Sequence, residues 1–544
     1  MTAFYKEHRW GASEYERERA LARRRVDRAL RRGRGRALEL PPGATFAQAS
    51  GGWSYAYGFE LVNELRARLG DERFFRALKT YVGDHPLAGV TGDDFLEAFA
   101  GDDSSFRAEL GQRIRRPPPA PGPEPPLERL AEEANARDGV RRFLAVDGLT
   151  ERCLDQGQDC SRFLGALTAR ENDTNRAVAA SARRLRRAWR AEFWKTRRRG
   201  ANLFDLREDF DRLLAARDAG VEFVRLAPNK YQTPSRDFLL GDAGSYRGIP
   251  GPDAKELVRV LDAASKAQMK VLLTTLSLPG ARWRQHNSGK DDLRLWDTAS
   301  FQPLAAGFWR DLVDLVGGHD ALVGYDLLNE PRPEALARIF DASDPRRADW
   351  AKRNRDTLAD VNHFYRRAIA AIRSADPVTP VVLESSLDAA ASSFPHLEPV
   401  TDQNVLYSFH LYDPWLYTSH ENAGKWSYPG RIPVDAAPGS PTEEWGALRL
   451  AQTVAPVVAW TKRHALPPER VLVGELGCFR RAPGAAAWLE DAVALVEARG
   501  WHWAFYSFRE DEWDGMDYEL GPSGRARRDN PLWNVLSRRL NRKR

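Results

Sequence analysis

The chain has 544 residues, 42% hydrophobic and 29% charged, with a formal net charge of +6. Those values describe a globular chain, and without a run of about 18 apolar residues no membrane span is predicted. Cys153, Cys160 and Cys478 are the three cysteines, and they fit neither a metal-binding spacing nor a disulfide framework, although a Cys153–Cys160 bridge stays open.

The positive charge, mostly arginine, clusters at 17–36 and 183–199, on what read as solvated helix faces. No nucleic-acid motif accompanies it, so no nucleic-acid partner is expected. The first twenty residues lack the apolar core of a secretory signal, so the chain as written is expected in the cytoplasm. Residues 1–115 read as helical. "EYERERALARRRVDRALRRG" has helix-forming composition and stops at Gly33. "SYAYGFELVNELRARLG" sets Phe59, Val62, Leu65 and Leu69 at helical spacing and stops at Gly70. "DERFFRALKTYVGDHP" repeats the pattern, and Thr91 with Asp94 predicts a capping box ahead of Phe95.

The stretch from "GATFAQASGGWSYAYGFELVNELRARLG" to "VTGDDFLEAFA" resembles the tail of the catalytic domain in zinc peptidases of the aminopeptidase N family. That family carries a Tyr-x-Lys-Gly element whose tyrosine stabilises the tetrahedral intermediate. The matching residues are Tyr55-Ala56-Tyr57-Gly58, with the lysine replaced. No H-E-x-x-H occurs in the chain, so this piece cannot build that family's zinc site. Tyr55 is therefore expected as a packed aromatic at a helix start, in a helical appendage. "RPPPAPGPEPP", residues 116–126, reads as a semi-rigid polyproline spacer and the domain boundary. Residues 127–198 read as a charged helical lead-in.

From Gly200 the texture changes to short apolar runs alternating with helical stretches, the signature of repeated βα units. Candidate strands lie at 201–204, 221–226, 270–276, 322–328, 380–384, 405–410, 470–473 and 503–508. Eight strands predict an α/β protein, a (β/α)8 TIM barrel over 199–544. A doubly wound sheet would want a glycine-rich turn after the first strand, and "ANLFDLRED" has none.

A barrel keeps its chemistry at the carboxyl ends of its strands. The fourth run, "ALVGYDLLNEPR", ends in Asn329-Glu330-Pro331, where proline must stop the ladder. The seventh, "RVLVGELG", breaks at Gly474 and delivers Glu475. Paired carboxylates facing one cleft are the equipment of glycoside hydrolysis. Arg225 ends the second strand, Ser277 follows the third, and "YSFHLYDP" brings His410 and Tyr412. Arg225 could keep one glutamate ionised, and His410 and Tyr412 could hydrogen-bond a carboxylate or a sugar hydroxyl.

In order, "GVEFVRL", "LPGARWRQ", "LLNEP", "FHLYDPWLYTSHENAGKW", "GELG" and "NPLWNVL" make residues 199–540 resemble glycoside hydrolase family 5, the cellulase family of clan A. The resemblance implies a retaining O-glycoside hydrolase cleaving β-linked polysaccharide, with β-1,4-glucan the leading substrate. It makes Glu330 the acid/base and Glu475 the nucleophile. Asn329 would bind the hydroxyl beside the anomeric carbon, Arg225 and Tyr412 would flank Glu475, and His410 would line the reacting subsite. Two departures concern sugar binding. Ser277 stands near the place of a family histidine on the third strand. "FYSF" replaces a tryptophan platform on the eighth, leaving Tyr506 or Phe508 to serve.

No cofactor and no metal are implied, and a monomer acting on poly- or oligosaccharide is expected, although the family is commonly secreted. Other activities of the family, β-mannan or β-1,3-glucan cleavage, stay open, as do a glycan-binding barrel without turnover and a peptidase-like adaptor built on 1–115. Trp283, Trp296, Trp415 and Trp426 sit in post-strand loops, where half are expected in the core and half on glycan. His286, His420, Asp413 and Asp511 lie near the site in sequence, and each reads equally as an ordinary loop residue.

Overall fold

The protein is described from a computed structural model. It covers residues 12–31, 37–38, 52–84, 91–119, 121, 125–152, 170, 173–174, 178–179, 181–182, 190, 192–206, 209–230, 236–510, 515–524 and 528–541. The chain folds as two compact units, Met1–Arg186 and Arg187–Arg544.

The first unit is helical. Helices Ala12–Arg31, Gly52–Leu69, Asp71–Asp84, Gly92–Ala100 and Ser104–Arg115 follow the predicted stops. The capping box forms, with Thr91 accepting from the Asp94 N–H and Asp94 accepting from the Thr91 N–H. Leu61, Leu65, Phe74, Leu96, Phe99 and Leu110 supply a buried core. Tyr55 is 72% exposed, contrary to its expected packing. The packed aromatic is Tyr57, whose hydroxyl donates to the Arg113 carbonyl at 2.9 Å.

The boundary differs from the one expected at residues 116–126. Helix Gly139–Thr150 docks on helix Ala12–Arg31, where Arg24 donates to Asp147 at 2.5 Å and Arg28 to Glu151 at 2.5 Å. Arg152 holds the Pro125 carbonyl at the end of the proline-rich stretch. Part of the arginine cluster is therefore paired rather than solvated, and the proline run connects helices of one unit. Cys153 and Cys160 lie outside the described residues.

The second unit is a closed barrel of eight parallel strands. In barrel order they are β1 (Arg199–Asn202), β2 (Phe223–Leu226), β3 (Lys270–Thr274), β4 (Leu322–Asp326), β5 (Val381–Glu384), β6 (Val405–Leu411), β9 (Val471–Leu476) and β10 (His502–Phe505). The loop between β6 and β9 carries an antiparallel hairpin, β7 (Gly430–Pro433) with β8 (Thr442–Trp445). The predicted (β/α)8 barrel is thus the fold, with helices between the strands.

Alternation along each strand layers the barrel interior. Phe223, Leu272, Val382, Leu406, Leu472 and Ala504 meet in a dry layer, closed by Phe193 and Trp194. Gly200 leaves room for that layer, since a Cβ there would meet the Phe223 ring at 2.5 Å. Two residues further along the same strands stand Asn202, Arg225, Thr274, Glu384 and Ser408, a polar layer on an apolar floor. Residues 187–198, expected in the helical lead-in, thus belong to the barrel. Arg190 donates to the Gly317 and His319 carbonyls, and Trp194 to the Val323 carbonyl at 2.8 Å.

Candidate active site

Arg225 stands in β2 with no exposed surface, and six groups accept from its guanidinium, Thr274 at 3.4 Å being the longest contact. Nε donates to Asp326 at 2.7 Å, and Nη1 to Glu475 at 2.8 Å and to Asn202 at 3.2 Å. Nη2 donates to Glu384 at 2.6 Å and to Asn329 at 2.8 Å. Burial works against its charge, and Asp326, Glu384 and Glu475 outweigh burial and hold it protonated.

Glu475 reaches this layer through a bulge. Phe409 pairs with Val473 and His410 with Glu475, so Gly474 is the extra residue. A bulge re-aims the side chain that follows it. Glu475 then accepts from Arg225 on Oε1 and from the Tyr412 hydroxyl on Oε2 at 2.6 Å. Burial raises its pKa, His410 and Arg225 oppose that, and Glu330 adds to it. Tyr412 is held protonated, by burial first and by Glu475 second, so it stays a donor.

Glu330 follows β4 in the loop that Pro331 closes. It holds a left-handed φ of +54°, and its N–H donates to Glu384 at 2.7 Å. Its Oε1 lies 2.9 Å from Nδ1 of His410. Burial alone would lower the His410 pKa. Glu475 and Glu384 lift it well above the ordinary imidazole value, which favours a protonated ring that donates to Glu330.

Glu330, His410 and Glu475 each bring one donor atom within 4.8 Å of the others, the reach of a metal ion. Arg225 already faces Glu475, and the pKa of His410 is itself raised, which disfavours a further positive charge. The arrangement suits acid–base and nucleophilic chemistry between two carboxyl groups.

The cavity over Glu475 measures about 160 Å³ and is lined by Phe204, Lys230, Trp283, Tyr412, Trp415 and Tyr506 among others. A second hollow of about 440 Å³ shares Trp283, Asn329, Glu330 and Trp415 with it and continues past Arg332. The two meet at Glu330. Trp415 is 54% exposed, whereas Trp296 is 3% exposed and Trp426 packs partly buried on the core. Trp283 and Trp415 therefore stand in the groove, and Trp296 lines the second hollow from its buried wall. His420 lines the first cavity, and the His286 ring packs edge-on against Trp283. Asp413 is held up near 6 by burial. Asp511 lies outside the described residues.

Tyr506 takes the predicted place in the cavity. Phe508 does not. It is 1% exposed, belongs to the core and packs against Trp533, because the backbone after β10 turns its ring inward. Ser277 is buried and accepts the Trp283 N–H at 2.9 Å, so it shapes the groove wall by fixing that loop. Cys478 is buried, and burial pushes its thiol up, which makes it inert.

Sequence reasoning missed Asp326 and Glu384, and also the buried pair of Lys230 with Glu510 beside the cavity. Glu384 closes a predicted strand, so its position was the available signal. Asp326 was hidden inside an apolar run.

A model of the family described as Cellulase (glycosyl hydrolase family 5) matches residues 209–512. No curated protein matches the chain. Among solved structures, a structure described as an endoglucanase is similar at 17% identity and TM-score 0.44, over 64% of this chain and 99% of that one. Thermotoga maritima Cel5A, described in complex with cellobiose, gives 17%, 0.45, 64% and 99%. Pseudomonas stutzeri endoglucanase Cel5A gives 17%, 0.43, 63% and 94%. The family match spans β2 to β10 and both strand-end glutamates, and on it the chain belongs to glycosyl hydrolase family 5 and is a glycoside hydrolase.

Proposed function

We propose that the protein is a retaining hydrolase of β-linked polysaccharide, of the endoglucanase type, with Glu475 as nucleophile and Glu330 as acid/base. One observation carries the reading. An oxygen of Glu330 and an oxygen of Glu475 lie within 4.8 Å of each other and of His410. Retaining enzymes space their carboxyl groups by about 5–5.5 Å, too close for a water between them.

Hydrogen bonding divides the roles. Both oxygens of Glu475 receive donors, Arg225 and Tyr412, which favours the carboxylate that attacks the anomeric carbon. Glu330 meets His410 through Oε1, so its Oε2 can carry the proton that passes to the leaving oxygen. Attack by Glu475 forms the glycosyl–enzyme bond as the glycosidic bond breaks and Glu330 releases its proton. Glu330 then takes a proton from water, which cleaves the glycosyl ester and restores Glu475. Asn329, held by Arg225, is the partner for the sugar hydroxyl beside the anomeric carbon.

Two hollows meeting at Glu330 between Trp283 and Trp415 support binding of several sugars by ring stacking, hence cleavage within chains. Ser277 in the place of a histidine keeps β-mannan and β-1,3-glucan as alternative substrates. The test is release of reducing ends from cellulose derivatives, glucomannan, xylan, lichenan and laminarin, with Glu475→Ala as control. Rapid viscosity loss with a β-anomer as first product is expected. A first-formed α-anomer means inversion and removes Glu475 as nucleophile. Binding to a glycan without release of ends means a barrel that has lost turnover.

A further inference from the structure

Glu384 ends β5 and is 1% exposed. Its carboxylate reaches three residues of the site at once. Oε1 accepts from Arg225 at 2.6 Å and lies 3.3 Å from Nε2 of His410, an ion-pair contact. Oε2 accepts the Glu330 N–H at 2.7 Å, and Glu330 is the residue held at φ +54°. The Glu384 carbonyl accepts the Tyr365 hydroxyl at 2.7 Å, which fixes the strand end from the helix side.

A counter-ion for Arg225 alone would need one oxygen, and Glu475 already supplies that role. The second oxygen instead holds main chain in a conformation that costs a non-glycine residue about 1 kcal/mol or more. We propose that Glu384 is a positioning residue of the reaction, locking the Glu330 backbone, the Arg225 guanidinium and the His410 ring into one unit. The proposal rests on the glycosidase reading above.

Six groups bear on the His410 ring. Glu330 faces Nδ1 at 2.9 Å, Glu475 stands at 3.9 Å and Glu384 faces Nε2. Tyr412 packs edge-on, and Arg225 and Asp326 lie behind Glu384. An ionised Glu384 keeps a proton on Nε2, so Nδ1–H serves as a donor to Glu330 throughout the cycle. Burial works against the Glu384 charge, and His410 and Arg225 outweigh it and lower its pKa. Asp326 behaves oppositely. Burial and Glu384 push it up to about 7, so the cluster's surplus proton goes there rather than to Glu384.

The experiment uses the full chain with 15N-labelled histidine, His410 being assigned by His410→Gln. In the wild type the His410 signals should remain those of an imidazolium above pH 7. Glu384→Gln keeps shape and removes charge. Its His410 midpoint should fall by at least about one pH unit. Its kcat on an aryl β-glycoside should fall by about 10²-fold with KM little changed, since groups are misplaced rather than lost. Glu384→Asp keeps the charge with a shorter reach, so it should hold the His410 midpoint near wild type while kcat still falls.

A cooperatively melting Glu384→Gln protein with wild-type midpoint and kcat overturns the proposal. So does a wild-type His410 that is neutral at pH 7, a result that needs no variant to fold. The imidazole signals are read without substrate. A wild type that cleaves no glycan therefore sinks the glycosidase reading, while the coupling of Glu384 to His410 is still decided.

Discussion

Arg225 ties the site together, and its partners differ in what their loss should do. Tyr412 gives Glu475 a hydrogen bond to a charged group, worth about 1.5–3 kcal/mol. Tyr412→Phe should therefore lower kcat/KM by roughly 10- to 10²-fold without altering the melting temperature of the barrel. Steady-state kinetics beside a thermal melt check this, and unchanged kinetics would remove Tyr412 from the reaction. Asp326 has a different, pH-dependent role. Burial first, with Glu384 adding and Arg225 opposing, places its pKa at about 7 in the folded protein, against 3.8 in the unfolded chain. A carboxyl raised on folding contributes its stability at low pH and loses it as pH rises through the folded value. Asp326→Asn should thus match wild type only below about pH 4, and at pH 5 it should already be the more stable by roughly 1–2 kcal/mol. At pH 9 it should be the more stable of the two, by on the order of a few kcal/mol. Thermal melts at both pH values decide it, and a variant less stable than wild type at pH 9 would show that Asp326 is held as an anion.

Among elements, β9 shows how a short sequence feature sets the geometry of the candidate site. Gly474 is the bulged residue, and a Cβ on it would meet Ser408 Oγ at 2.8 Å and His410 Nε2 at 3.2 Å. Gly474→Ala must therefore push the His410 ring or the Glu475 backbone, and a shift near 1 Å costs about 10²-fold in rate. Ser408 Oγ is buried and has no hydrogen-bond partner among the described residues, so Ser408→Ala alone should be nearly silent. Gly474→Ala with Ser408→Ala should recover much of the lost kcat. A double variant as slow as the single one would locate the strain at His410 instead. "RVLVGELG" carried this site openly, because a run buried on both faces that breaks before a glutamate has few other readings. The eight barrel strands were legible for the same reason, each being a short apolar run. β7 and β8 were not, since "GRIP" and "TEEW" are short, partly exposed and carry no apolar run. Glu384 had the position of a site residue but no motif around it, and Asp326 sat inside the apolar run that defined β4. Phe508 was misplaced because pattern alone does not say where a chain turns after the strand ends.

At the scale of the molecule, the boundary between the two units decides what can be cut away. Composition put it at the proline run, but charge pairs from Arg24 and Arg28 bind residues on both sides of that run into one unit. The barrel unit begins at Arg187, twelve residues before β1. Arg190, Phe193 and Trp194 are structural to the barrel. Phe193 and Trp194 are 6% and 3% exposed and complete the apolar floor, with Trp194 edge-on to Phe223 and His502 at 5.0 Å. Arg190, 2% exposed, holds the Gly317 and His319 carbonyls and Thr379 beside β4 and β5. Burial of an aromatic side chain contributes roughly 1.5–3 kcal/mol, so the two rings together supply about 3–6 kcal/mol. We therefore expect residues 187–544 to fold cooperatively and to retain the wild-type rate per barrel on soluble glycan. A chain starting at Arg199 should melt about 10 °C or more lower or fail to remain soluble, because the floor beneath Arg225 is then open to water. Thermal melts and reducing-end assays on the two truncations, beside the full chain, separate these outcomes. An insoluble or inactive 187–544 next to an active full chain would mean that the helical unit is needed for the barrel to fold or to act. A 199–544 chain as stable as 187–544 would mean that the floor closes without Phe193 and Trp194.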